Sequence, residues 1–265
     1  MTKTLNKASR YRAVIVGAGR IGANFDTPDS ANILTHAHAY RAHLSTELVG
    51  FFDVDRKMAQ AAARKWNVAA FANLTEMLAT VKPDIVSVCS PTATHFSVLN
   101  EIAEAGFKPR LVIVEKPVAE TSAQIKKIKN KFSKLNIPLS VNYSRRFDAV
   151  ARQVWSDIKN KKYGNVISAV GLYNKGLIHA GSHLLDLAGL FFGRVSSGKT
   201  LHKIYDHSKS DPSVSAWLKF THCPNFFLIA GDSRAYEIFE MEILLEKARL
   251  KFFNAGQELS VELRV

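Results

Sequence analysis

The sequence predicts an α/β protein in two parts. A doubly wound parallel sheet occupies the first half, and an α+β region with a mostly antiparallel, open sheet follows. Three observations carry this. Up to about residue 142, short runs rich in Val, Ile and Leu alternate with helical stretches, as in parallel strands buried between crossover helices. The first run, Ala13-Val14-Ile15-Val16, opens directly into Gly17-Ala18-Gly19-Arg20-Ile21-Gly22, a strand followed at once by a tight turn. Beyond Lys199 strand-like runs follow one another with only turn residues between them.

In chain order, strands are predicted at 12–16, 48–53, 84–89, 111–115 and 138–142, with helices at 55–66, 74–80, 93–106 and 121–135. Pro83 and Pro138 precede strands, and Pro109 falls in the loop before another. The stretch Asn24 to Thr35 carries Asp, Pro, Ser and Asn with no clear period and reads as a loop insertion; His36 to Leu44 then resumes a helical pattern. After residue 143 the texture changes. A helix is expected at 146–160, a strand at 165–173 and a short helix at 183–192. Strands follow at 200–206, 214–221, 225–230, 236–244, 249–253 and 259–263. The domain division is therefore 1–142 and 143–265.

Composition bounds the class. A hydrophobic content of 47% and a charged content of 22% suit a folded soluble protein long enough, at 265 residues, for two cores. Cys89 and Cys223 are far apart, which suggests neither a disulfide framework nor a metal site and fits a reducing, cytoplasmic compartment. Met1 to Arg12 is polar and basic without an apolar core, so no signal peptide is expected. No apolar run reaches the roughly 18 residues of a membrane span. The net charge of +13 is concentrated at Lys126 to Lys134 and Lys159 to Lys162. Ile125, Ile128 and Phe132 recur there at helical spacing, so the lysines read as a solvated helix face. No nucleic-acid motif accompanies them, and a basic field would favour anionic small molecules.

The glycine turn is what a dinucleotide requires. Gly17 permits the tight turn, Gly19 admits a pyrophosphate close to the backbone, and Gly22 lets the next helix pack against the sheet. Arg20 and Ile21 lie inside the same turn, whose N–H groups would face the phosphates. Glu47 to Asp53 reads as a buried strand ending in an acid. Asp53 lies farther on than the usual distance of about 20 residues, and the insertion accounts for the excess. An acid there accepts ribose hydroxyls and repels a 2′-phosphate, which favours NAD over NADP. Arg56 and Lys57 oppose that preference, and Asp53 would also serve as the N-cap of the following helix.

Four further motifs line up after successive strands: Cys89-Ser90-Pro91-Thr92-Ala93-Thr94-His95, Glu115-Lys116-Pro117, Asn142-Tyr143-Ser144-Arg145-Arg146-Phe147, and Gly176 to Asp186 with Gly181-Ser182-His183-Leu184-Leu185-Asp186. With the glycine turn, the chain resembles the Gfo/Idh/MocA family of NAD(P)-dependent oxidoreductases over nearly its whole length. The resemblance implies a Rossmann domain, a sugar dehydrogenase or reductase activity on CH–OH groups, and no metal. It implies that Ser90, Pro91, Thr92, His95, Glu115 and Lys116 belong to the cofactor site, with His95 near the nicotinamide and its ribose. Lys116 would polarise the reacting oxygen and His183 would exchange its proton. Asn142, Arg145, His179 and Asp186 would meet the substrate, a sugar, cyclitol or sugar nucleotide. A homo-oligomer through the C-terminal sheet is expected.

Two departures from the family pattern stand out. The family commonly has an Asp four residues before the catalytic His, where this chain has His179. At i, i+4 from His183, His179 would share its face if both were helical. Family members also usually extend beyond the strand pattern that ends here at Val265, which implies a shorter C-terminal sheet or a more open cleft. Two other functions remain compatible: a non-catalytic NAD-binding regulator on the same fold, and an NAD-dependent glycosidase.

Overall fold

The computed structural model describes residues 10–264. Residues 1–9, on which the expectation of no signal peptide partly rests, lie outside the described residues. The chain divides into two compact units, one ending at Asn142 and the other beginning at Tyr143.

The first unit is a six-stranded parallel sheet: β1 (Tyr11–Val16), β2 (Thr46–Phe52), β3 (Ala69–Phe71), β4 (Ile85–Val88), β5 (Leu111–Val114) and β6 (Leu139–Val141). The order is β3-β2-β1-β4-β5-β6, so the sheet reverses direction of growth between β1 and β4. Its helices are α1 (His36–Ala42), α2 (Arg56–Trp66), α3 (Leu74–Val81), α4 (Thr92–Glu104) and α5 (Ser122–Leu135). Val14, Val16, Val86, Val88, Val112 and Val114 bury one face against Leu78, Leu99, Ile102, Ile128 and Phe132. Ala13, Ile15 and Phe51 bury the other against Tyr40 and Trp66. Each large side chain so enclosed contributes about 1.5–3 kcal/mol. Helix ends follow local chemistry. Thr121 and Gln124 form a capping box at α5, and Asn67 and Asn136 take left-handed C-cap positions after α2 and α5.

Two features differ from expectation. Strand β3 was not foreseen, because a three-residue Ala-Ala-Phe edge carries too little pattern. The glycine turn leads into a π-helical turn of five residues, Arg20–Asn24, rather than a long helix. The loop insertion follows it, and the helix resumes only at His36, where Thr35 caps α1 by accepting the His38 N–H.

The second unit is a seven-stranded sheet with two helices. A 3₁₀ turn (Ser144–Phe147) and α6 (Ala149–Lys159) precede β7 (Val166–Tyr173); a π-helical turn (Gly176–Gly181) precedes α7 (Ser182–Phe192). Strands β8 (Val195–Ile204), β9 (Ser213–Phe220), β10 (Cys223–Ala230), β11 (Phe239–Leu245), β12 (Ala248–Phe253) and β13 (Glu258–Leu263) complete it. The order is β13-β12-β11-β7-β10-β9-β8. Only β7 and β10 pair in parallel; the other pairs are antiparallel. One face packs on α6 and α7 through Phe191, Phe192, Phe220, Phe226 and Phe252. Strand β8 begins earlier than its apolar pattern, because an edge strand exposed along nearly its whole length needs no alternation.

Candidate functional site

The glycine turn is built by backbone contact. Gly17 has φ +98°, and a Cβ there would meet the Ser90 nitrogen at 2.4 Å. A Cβ on Gly22 would meet the Gly17 oxygen at 2.2 Å, whereas one on Gly19 would meet nothing within 4 Å. Gly17 and Gly22 are thus required by the protein itself, and Gly19 is required only if something else approaches. That open space beside a helical turn is what a pyrophosphate needs, so the residues fit a dinucleotide. Asp53 Oδ2 accepts the Ala18 N–H at 2.7 Å and Oδ1 accepts the Asp55 N–H at 2.9 Å. The N-cap of α2 is Asp55, not Asp53. Asp53 is left to tie the end of β2 to the glycine turn.

At the ends of β4, β5 and β6 a second cluster forms. The His95 ring is buried, with Nδ1 2.9 Å from the Pro117 carbonyl and Nε2 2.7 Å from the Ser90 carbonyl. Both ring nitrogens are engaged by backbone. His95 thereby braces the loops after β4 and β5. Ser90 Oγ accepts the Thr94 hydroxyl at 2.8 Å, while Pro91 and Thr92 open α4. Lys116 is half-buried just beyond the end of β5.

Glu115 is the hub of this cluster. Its Oε1 lies 2.6 Å from Asn142 Nδ2 and 3.1 Å from His36 Nε2. Burial would raise the carboxyl, but hydrogen bonds from His36, Asn142 and the Lys116 backbone hold it below the usual glutamate range. Behind His36, Nδ1 lies 3.0 Å from Ser87 Oγ, which lies 2.6 Å from the Tyr40 hydroxyl. Asn142, expected at the substrate, is engaged with Glu115. His36 was not foreseen. The signal available was a histidine in the first turn after a Thr N-cap, hidden by the insertion before it.

In the second unit, the His183 ring packs edge-on against Tyr143, with centroids 5.4 Å apart at 83°. Burial raises the Tyr143 phenol, against a hydrogen bond from Ser182. Asp186 pairs with Arg146. Arg145 donates to the Ala255 carbonyl and stacks over Phe239 at 4.2 Å. Arg145 and Asp186 are thus held by their own unit, where a direct substrate role had been expected. His179 lies on the π-helical turn before α7, so the α-helical i, i+4 relation to His183 does not apply. Its exposed ring instead stacks on His207, with centroids 4.7 Å apart at 18°. Asp211 accepts the N–H groups of Ile178 and His179 at 2.8 and 2.9 Å. His207 and Asp211 lie on the β8–β9 loop, where sequence showed only an Asp-Pro turn.

Among the described residues, no group of three or more His, Cys, Asp or Glu gathers as a metal site. No helix there is long and apolar enough to cross a membrane.

A glycine cradle at the end of β1, closed by a carboxylate from β2 at a point of sheet reversal, defines a dinucleotide-binding domain. Residues 11–143 match the profile of an oxidoreductase family with an NAD-binding Rossmann fold, and the chain belongs to that family, Gfo/Idh/MocA. It is similar to the D-glucoside 3-dehydrogenase of Escherichia coli, 28% identical over 198 residues, covering 70% of this chain. The match spans about half, 53%, of that relative's length. Among solved structures, the WlbA dehydrogenase of Bordetella pertussis, in complex with NADH and UDP-GlcNAcA, superposes with a TM-score of 0.81 at 20% identity, covering 98% of this chain and 79% of that one. The UDP-N-acetylglucosamine 3-dehydrogenase of Acidithiobacillus ferrooxidans gives 0.77 at 19% identity, covering 97% and 81%. At such identities the two structures speak for the fold.

Proposed function

We propose that the chain is an NAD(H)-dependent oxidoreductase acting on a secondary alcohol, or the matching ketone, of a sugar, cyclitol or sugar nucleotide. The observation that carries this is the pairing of an open glycine cradle with Glu115-Lys116 at the carboxyl end of β5, where open α/β sheets bind ligands. The names of similar proteins, sugar and sugar-nucleotide dehydrogenases, support the substrate class. Bound nicotinamide would supply or take up the hydride. Lys116 donates to the reacting oxygen and stabilises negative charge on it. His183 holds and returns the hydroxyl proton, as imidazole does near neutral pH. Asp53 binds the adenosine ribose and disfavours a 2′-phosphate. A basic chain favours anionic substrates such as nucleotide-linked sugars. The test is a panel of neutral sugars and nucleotide sugars with NAD and NADP, followed at the nicotinamide absorbance. Absorbance change with no member of the panel would overturn the activity.

The second unit is proposed to pair with a second copy. Cross-strand register sets Val170, Leu172, Trp217, Phe227, Ile229 and Leu244 on the sheet face away from α6 and α7. Phe227 and Ile229 are each 42% exposed and Leu244 43%. These apolar side chains, with Glu240 and Glu242 opposite Leu172 and Val170 on the same face, support the pairing. Light scattering should give a multiple of the chain mass, reduced by Phe227→Glu; a monomer at micromolar concentration would exclude it.

A further inference from the structure

We infer that His36 is a positioning residue for the nicotinamide half of the dinucleotide site, delivered there by the inserted segment between the glycine turn and α1. The inference rests on the cofactor reading above and goes beyond it by assigning a role to the insertion.

Topology sets the location. A dinucleotide crossing the sheet reversal places adenosine on the β2 side, where Asp53 lies, and nicotinamide on the side of β4, β5 and β6. Glu115 and Asn142 stand at the ends of β5 and β6, and His36 reaches them from α1, together with Tyr40 behind it. A carboxylate largely withdrawn from water, as Glu115 is with its side chain 16% exposed, is kept ionised by donors. Ser87 Oγ lies 2.6 Å from the Tyr40 hydroxyl and 3.0 Å from His36 Nδ1; in the tautomer where Ser87 donates to Nδ1, the proton stands on Nε2, 3.1 Å from Glu115 Oε1 and 3.2 Å from Asn142 Nδ2. Asn142 supplies the second donor, and both converge on Oε1. The carboxylate is thereby fixed in rotation, and with it the residue next to Lys116.

The insertion is folded to make this possible. Asp26 is 5% exposed. Its carboxylate accepts from the Leu34 N–H at 2.6 Å, the Thr35 N–H at 3.1 Å, the Thr35 hydroxyl at 2.6 Å and His38 Nδ1 at 2.9 Å. One side chain closes the loop on itself and fixes where α1 starts. His36 follows Thr35 immediately, so the clasp sets the position of its ring. The insertion is a support for the site rather than a decoration of the turn.

The test uses the full chain and calorimetric binding of NADH and ADP. ADP carries adenosine and pyrophosphate but neither the second ribose nor the nicotinamide. His36→Ala should weaken NADH about tenfold or more, as loss of a charge-assisted hydrogen bond would, while ADP affinity stays within about twofold. His36→Gln retains an amide that can reach Glu115 and should recover most of the NADH affinity. Equal losses for both ligands, no loss for either, or His36→Gln no better than His36→Ala would each overturn the inference. Unmodified protein that binds neither NADH nor ADP would overturn the dinucleotide reading itself, and this inference with it.

Discussion

Asn142 donates to Glu115 across 2.6 Å, so a single side-chain bond joins the end of β6 to the end of β5. The bond closes the first unit at its last residue. It also divides one half-buried charge between two partners, since His36 Nε2 lies 3.1 Å from the same oxygen.

Acid stability should report this charge. The Glu115 carboxyl lies below its ordinary 4.5. Its contribution is therefore complete above that pH and is lost as pH falls through the lowered value. The unfolding midpoint of the unmodified protein should drop more steeply below pH 4.5 than that of Glu115→Gln. Asn142→Ala should cost about 1 kcal/mol at neutral pH by removing one donor from a half-buried carboxylate. Parallel acid limbs in urea titrations would contradict the assignment.

The three glycines should separate into two classes. Gly17→Ala and Gly22→Ala place a Cβ within 2.7 Å of backbone and should lower thermal stability markedly, by about 2 kcal/mol or more. Gly19→Ala meets no protein atom within 4 Å. It should leave stability within about 0.5 kcal/mol yet weaken NADH. Calorimetry and melting of the three variants decide this; unaltered NADH affinity in Gly19→Ala would remove the pyrophosphate from that space.

Cofactor choice should follow Asp53. Asp53→Ala removes the acceptor proposed above for the adenosine ribose and should weaken NAD more than NADP. It also frees the Ala18 N–H, now bonded at 2.7 Å, so some loss for both cofactors is expected. NADP binding to the unmodified protein about tenfold more tightly than NAD, a difference near 1.4 kcal/mol, would refute the reading of this carboxylate.

The proposed function gives Lys116 and His183 roles in one step, and mutation tests that. Each alanine variant should lose at least about a thousandfold in kcat, and the double variant little more than the worse single one, because groups serving one step are not additive. Simple multiplication of the two losses would mean that they act in separate steps.

The first unit was legible because parallel strands buried on both faces, such as Val112 to Val114, are continuous apolar runs that nothing else resembles. Gly17 and Gly22 were legible for a related reason: backbone geometry restricts which residues can stand there. Helix boundaries fell within a few residues because caps such as Thr121 and Asp55 are local. What was not legible depends on contacts distant in sequence. His36 meets Glu115 only after the sheet is assembled, and His207 meets His179 only because β8 and β9 carry their loop to the π-helical turn. His95 was found by its motif, but motif spacing could not show that both ring nitrogens end on carbonyls.

Because Asp26 grips Leu34 and Thr35, the stretch from Thr27 to Ile33 hangs from a single fastening. Closure entropy grows slowly with length, so residues added or removed inside that ring leave the pitch of α1 and the register of β2 untouched. The ring is a natural splice point. A short epitope or a fluorophore attachment residue placed between Pro28 and Asn32 would sit in a largely exposed loop, outside every strand and helix. Ligand arrival could then be watched directly from a position that no strand or helix has to accommodate.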